Sequence, residues 1–213
     1  ELGLLDRIAG EIGRTQPILI RLSPGIDPHT HIYTTTGILD SKFGFSIETR
    51  QAEEAVQQAV KARNLELQGV HFHLGSPIFE VEPYIAAIRA VLEFTSQMRK
   101  EGLNTQLFSP GGGFAVAYTE DQTPPTVAQY AEAIVGTLHS TSKELGMELP
   151  RLVIEPGRAI VGPSCVALYT VGSRKDISGV RSYVSVDGGM GDNVRTALYD
   201  ARYEVLAATK MKD

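Results

Sequence analysis

A single cysteine, Cys165, stands in 213 residues, which makes an intramolecular disulfide framework and a four-cysteine zinc site impossible within this chain and sets a reducing, cytoplasmic location as the expectation. Long hydrophobic runs are also missing. Nothing approaches the roughly 18 consecutive apolar residues of a membrane helix, and Lys61, Arg63 and Glu66 break the nearest candidate. A membrane-spanning helix is excluded, and no membrane partner is expected. Charge of one sign is not concentrated either: 20 basic residues are scattered among 25 acidic ones, with a formal net charge of -5. No dense basic stripe is available to a phosphate backbone, so no nucleic-acid partner is expected. What is present, 42% hydrophobic and 21% charged residues, suffices for a folded core of ordinary size.

The apolar residues are organised in repeating units. Leu2 to Ala9 recur at helical spacing with neither an initiator methionine nor an N-cap before them, so the chain reads as entered inside a helix. Pro17 ends that pattern, and Ile18-Leu19-Ile20-Arg21-Leu22 reads as a short strand buried on both faces. Three units of the same plan follow: a helix near 49–63 before a strand at 67–72, a helix near 83–100 before 106–108, and a helix near 126–145 before 152–154. This alternation predicts parallel βα units. Ala52, Ala55, Val56, Ala59 and Val60 line one helix face, as do Ile85, Ile88, Val91 and Leu92, and both faces are expected to cover the sheet.

After about residue 160 the texture changes. Cys165 to Val171, Tyr183 to Val186 and Tyr203 to Leu206 read as strands without long helices between them, which predicts an all-β module. Four parallel strands cannot close an eight-stranded barrel, which takes about 250 residues, and about 50 residues are few for an independent β domain. The sequence therefore reads as part of a longer protein.

Polar residues gather at the C-terminal ends of the strands, where ligand sites of parallel barrels lie. His71 and His73 fall on one side of their strand, with Val70 and Phe72 on the other. No third ligand follows at metal-site spacing, so a cofactor role is preferred to a metal pair or to structural histidines. Gly75-Ser76 supplies backbone donors and a hydroxyl. Gly111-Gly112-Gly113, after Gln106 to Phe108, lets successive N–H groups converge on an anion; it lacks the spacing of dinucleotide and P-loop motifs, and fits a monophosphate cradle or a tight turn.

Glu155 ends the run Val153-Ile154, where a buried carboxylate needs a cation: a protonated ring nitrogen, or Arg158 three residues on. Arg158 has equal reach toward a phosphate or a carboxylate. Arg21 ends its own strand on the same face. Arg195 and Tyr199 share one turn if their segment is helical, and would then clamp a carboxylate. Met98, Met190 and Met211 read as apolar filling, and Cys165 as a buried thiol.

Arg21, Ser41-Lys42-Phe43-Gly44, His71-Phe72-His73-Leu74-Gly75-Ser76, Gly111-Gly112-Gly113-Phe114, Glu155-Pro156-Gly157-Arg158 and Asp187-Gly188-Gly189-Met190 occur in one order. As a set they resemble the diaminopimelate decarboxylase family of group IV pyridoxal-phosphate decarboxylases. The resemblance implies an α/β fold: the C-terminal half of a cofactor-binding (β/α)8 TIM-like barrel over residues 1–160, then the start of a Greek-key β domain over 161–213. It implies pyridoxal 5'-phosphate as cofactor and no metal. His73 would stack on the cofactor ring, with His71 as a supporting neighbour, and Glu155 would face the pyridine nitrogen. Ser76, Gly111, Gly112 and Gly113 would hold the phosphate, and Gly157 and Arg158 would complete the cofactor and carboxylate contacts. Arg21 joins the cofactor-binding set, and His73 and Glu155 are the catalytic candidates. Arg195 and Tyr199 match an RxxLY element that binds the substrate carboxylate at the end not decarboxylated.

The implied activity is decarboxylation of meso-2,6-diaminopimelate to L-lysine and carbon dioxide, the last step of lysine biosynthesis, by a homodimer. A decarboxylase of arginine, ornithine or carboxynorspermidine, or a cofactor-binding homologue without turnover, are the alternatives. Pro77 stands where the family usually has glutamine, and Thr196 where it has proline. The family's Schiff-base lysine is expected before Glu1, and its partner cysteine and a further pocket tyrosine after Asp213. Lys42, Lys61 and Cys165 do not replace them, so residues 1–213 alone are expected to be inactive.

Overall fold

The computed structural model describes residues 1–28 and 41–209. The βα alternation is realised as α1 (Leu2–Glu11), β1 (Gln16–Ser23), β2 (Phe45–Ser46), α2 (Gln51–Lys61), β3 (Leu65–Phe72), α3 (Glu82–Met98), β4 (Leu107–Ser109), α4 (Val127–Glu144) and β5 (Arg151–Leu152). α4 starts where it does because Thr126 builds a capping box. Its side chain accepts from the Gln129 N–H, and the Gln129 side chain accepts from the Thr126 N–H at 2.8 Å. α2 is shorter than its apolar pattern, since Arg50 takes a left-handed conformation before it and Ala62 an extended one after it.

The strands form one parallel sheet in the order β2-β1-β3-β4-β5. Alternation along it separates two faces. Ile20 and Leu22 of β1, Val70 and Phe72 of β3 and Phe108 of β4 join Ala52, Val56 and Ala59 of α2, Ile88, Val91 and Leu92 of α3, and Ile134 and Leu138 of α4 in one buried core. Arg21, His71 and Ser109 alternate out of that core. A sheet with an apolar helix-covered face and a polar opposite face is the wall of a (β/α) barrel, not an open sheet covered on both sides. Val60, expected in the core, is exposed: at the end of α2 it lies beside the turn at Gly102. Among the described residues no helix is long and apolar enough to cross a membrane.

Two compact units make up the chain: 1–116 with 124–159, and 117–123 with 160–213. α5 (Gly157–Val161) follows β5 and runs across that division. The second unit contains β6 (Val171–Ile177) and β7 (Arg181–Val186), an antiparallel ribbon, and α6 (Arg195–Tyr199). Arg202 pairs with Asp121 at 2.9 Å, and the Tyr203 ring meets Tyr118 edge-on at 5.5 Å, joining its two segments.

Three expectations are corrected here. The segment from Cys165 to Thr170 and that from Tyr203 to Leu206 form no strand, and Cys165 is exposed instead of buried. All three lie in a stretch, from Ile160 to Thr209, in which no residue is buried, so apolar side chains there gain no packing that would fix a strand. Met190 is likewise exposed and fills no core, whereas Met98 is buried under α3; Met211 lies outside the described residues.

Phe108 is fully buried in the core and edge-on to Phe72 at 5.9 Å. Phe108→Ala should destabilise the full-length protein by about 3–5 kcal/mol, read as a lowered denaturant midpoint. A change below about 1 kcal/mol would show that the core closes over the gap.

Candidate active site

Parallel register sets three polar side chains side by side. Arg21 of β1 is opposite His71 of β3, and His71 is opposite Ser109 of β4. The ladder outlasts the two-residue β5: the Val153 N–H donates to the Phe108 carbonyl at 3.0 Å, and the Glu155 N–H to the Gly111 carbonyl at 2.9 Å. This brings the Glu155 carboxylate to His71, with Nε2 to Oε1 at 3.0 Å. The expectation of a buried carboxylate is corrected, because the Glu155 side chain is 54% exposed while its His71 partner is only 17% exposed. Glu155 lies three residues past the end of β5. The Arg21 guanidinium lies over the Phe43 ring at 4.7 Å, and Lys42 approaches the same ring at 5.1 Å.

Both histidines are held below the ordinary imidazole pKa. For His71 burial is the main cause and Arg21 adds to it, against the opposing pull of Glu155. For His73 burial leads, followed by the Arg21 charge. Burial also lowers Arg21, with Glu155 opposing, and an arginine so placed stays charged at neutral pH. The pair is therefore two neutral imidazoles between a cation and a carboxylate.

The glycine loop fits against these groups closely enough to exclude any side chain. Gly111 and Gly113 have φ of 73° and 101°. A Cβ on Gly111 would lie 2.6 Å from the Phe72 carbonyl oxygen and 2.9 Å from His73 Nδ1, one on Gly112 would strike the Glu155 carbonyl oxygen, and one on Gly113 that of Gly75. All three loop carbonyls are engaged by protein donors: Gly111 by the Glu155 N–H, Gly112 by the Tyr84 hydroxyl at 2.8 Å, and Gly113 by the Ile78 N–H at 2.8 Å. Burial raises the Tyr84 pKa, so the phenol remains a donor. The Gly112 N–H donates to His73 Nδ1 at 3.2 Å, which assigns the proton of neutral His73 to Nε2.

Sequence reasoning quoted Ser109 and Phe114 only as flanks of the glycine loop and missed Tyr84 and Tyr130: the Ser109 hydroxyl accepts from the Gly111 N–H at 3.2 Å, the Tyr130 hydroxyl donates to the Ile78 carbonyl at 2.5 Å, and Phe114 packs against both tyrosine rings. Helical tyrosines carry no local motif, so only the three-dimensional fold reveals them. The aromatic group clamps the loop from the core side.

Of the remaining candidates, Ser76 is half-buried just past β3, before a cis peptide to Pro77. Gly157 opens α5 and Arg158, half-buried, follows it. In the second unit Arg195 and Tyr199 do share one helical turn, with the guanidinium 5.5 Å from the ring centroid, and Arg195 Nε donates to the Tyr203 hydroxyl at 3.0 Å. Tyr203 had no role in the sequence reading.

A family model described as pyridoxal-dependent decarboxylase, pyridoxal binding domain, matches residues 1–162. The chain belongs to this family. Among curated relatives it is 41% identical over 212 residues to the diaminopimelate decarboxylase of Bacillus subtilis, covering 99% of this chain and 48% of that protein. It is 43% identical over 218 residues to that of Corynebacterium efficiens, covering 100% and 48%. The chain thus spans about half the length of the curated relatives it matches. Among solved structures, the diaminopimelate decarboxylase of Helicobacter pylori complexed with L-lysine superposes with a TM-score of 0.82 at 32% identity, over 95% of this chain and 48% of that one. The enzyme of M. jannaschii in complex with L-lysine gives 0.82 at 32%, over 95% and 46%.

The residues present fit the family's pyridoxal phosphate. A loop whose carbonyls are all turned to protein donors, and which admits no Cβ, suits close approach of a phosphate to its backbone, with the Gly111 and Gly112 N–H groups given to Ser109 and His73. A half-exposed carboxylate suits a cationic ring nitrogen, and a neutral imidazole suits the face of an aromatic ring.

The depressed histidines make stability depend on pH. As pH falls through 6.5, the unfolded chain takes up protons that folded His71 and His73 refuse, so stability drops from pH 8 to pH 5.5. The loss ends once pH lies below the depressed folded values. Denaturant unfolding at the two pH values should show this fall, and it should shrink when both histidines are replaced by glutamine.

Proposed function

We propose that the full protein decarboxylates meso-2,6-diaminopimelate to L-lysine and carbon dioxide with pyridoxal 5'-phosphate. The observation that carries this reading is the meeting of the Glu155 carboxylate, neutral His73 and the glycine cradle at the ends of adjacent parallel strands. The diaminopimelate decarboxylases among its relatives, two of them solved with L-lysine, support the choice of substrate.

The loop from Gly111 through Gly112 to Gly113, with Ser76, Gly157 and Arg158, would hold the phosphate through the backbone at Gly113 and Gly157, the Ser76 hydroxyl and the Arg158 guanidinium, the Gly111 and Gly112 N–H groups being given to Ser109 and His73. Pyridoxal phosphate, when bound, supplies an electron sink for the pair released with carbon dioxide. Glu155 would accept a hydrogen bond from the protonated ring nitrogen and so favour that protonation state. His73 offers a flat, uncharged face whose orientation is fixed by Gly112. Arg21 supplies the fixed positive charge beside the carboxylate.

Arg195 and Tyr199 would receive the substrate carboxylate that is retained, the guanidinium as a two-pronged donor and the phenol as a further one. That recognition separates a dicarboxylate from amino acids ending in an amine or guanidine. The lone cysteine agrees with a cytoplasmic enzyme, and the family resemblance supports a homodimer.

Two outcomes are expected of the full-length protein. Glu155→Gln should lower kcat by at least about a hundredfold, the range seen for loss of a fixed electrostatic partner, while bound cofactor remains visible by absorbance; undiminished turnover with cofactor bound removes Glu155 from the mechanism. Arg195→Ala should reduce kcat/KM for diaminopimelate by about 2–4 kcal/mol in transition-state terms. An equal loss with lysine-sized monocarboxylates would count against a carboxylate clamp.

A further inference from the structure

Glu155 carries the cofactor reading, yet its own position is weakly determined. It follows a two-residue strand, its side chain is half exposed, and a glutamate there has several rotamers of similar energy. The hydrogen bond that selects one of them comes from His71. That histidine is rigidly placed: it lies in β3 between two register partners, Arg21 and Ser109, and its side chain is 17% exposed.

We propose that His71 is a positioning residue, which through its Nε2–H holds Glu155 Oε1 and so presents the other carboxylate oxygen to the ring nitrogen of the cofactor. The inference rests on the pyridoxal-binding reading of this site. Three groups face His71: Arg21 from β1, His73 from its own strand, and Glu155 from beyond β5. Arg21 does not substitute for it, because its guanidinium lies over the Phe43 ring. His73 does not either, since its Nδ1 is committed to the Gly112 N–H. A neutral imidazole is the suitable donor for this task. It fixes the carboxylate by one directional bond without adding a second full charge, which would compete with a cationic ring nitrogen for the same carboxylate.

The test uses the full-length protein stripped of cofactor and two probes: pyridoxal 5'-phosphate and its 1-deaza analogue, in which carbon replaces the ring nitrogen. Wild-type protein should bind the natural cofactor more tightly than the analogue. If it binds neither, the pyridoxal reading itself fails, which is a separate result. His71→Leu should weaken pyridoxal 5'-phosphate about tenfold, the value of one charge-assisted hydrogen bond, and leave the analogue within about twofold, since that ligand makes no ring-nitrogen bond for Glu155 to lose. His71→Gln, which keeps a neutral N–H donor, should recover most of the natural affinity. Equal weakening of both ligands would make His71 a merely structural residue, and no weakening of either would show that Glu155 needs no guide; both overturn the proposal, as does a glutamine variant no better than leucine. If the leucine variant fails to fold, His71→Phe, which keeps a ring in the same space but has no donor, decides the same question when compared on the two ligands, alone and with Glu155→Gln. It should add no further loss of pyridoxal 5'-phosphate affinity once Glu155 is replaced, and a fully additive loss overturns the proposal.

Discussion

The register of three parallel strands is the constraint on which the site depends. A parallel ladder with side-chain period two forces residues at equal height to share a face. Arg21, His71 and Ser109 meet because Ile20, Val70 and Phe108 must all turn the other way, into the helices. A slip of one residue would exchange the two sets, placing a guanidinium and an imidazole in a core that holds Val56, Val91 and Leu138. The apolar core thus fixes the polar layer, and no separate device is needed to line up the site.

The glycine loop packs directly against that layer. Its backbone passes so near to Phe72, Gly75 and Glu155 that side chains are excluded, and its carbonyls are tied from three directions. One of those ties is the N–H of Glu155 itself, so the loop and the carboxylate position each other. Another is Tyr84, buried under the loop and stacked on Phe114. The loop is held in place by the hydrophobic aromatic cluster that stands behind it.

What the sequence made legible follows the range of each signal. Helix and strand placement came from local periodicity, and α3 and α4 fall within two residues of the expected spans. His73, the glycine loop and Glu155 were legible because each lies directly after an apolar run, where the chemistry of parallel strand ends is concentrated. The His71–Glu155 bond was not, since it joins residues 84 positions apart and depends on how far the ladder continues past β5. Tyr84 and Tyr130 were hidden for a similar reason: on a helix a buried tyrosine and a buried leucine obey the same pattern. Cys165 differs from its reading because an apolar neighbourhood in sequence predicts burial only where other side chains pack against it, and from Ile160 to Thr209 no residue is buried.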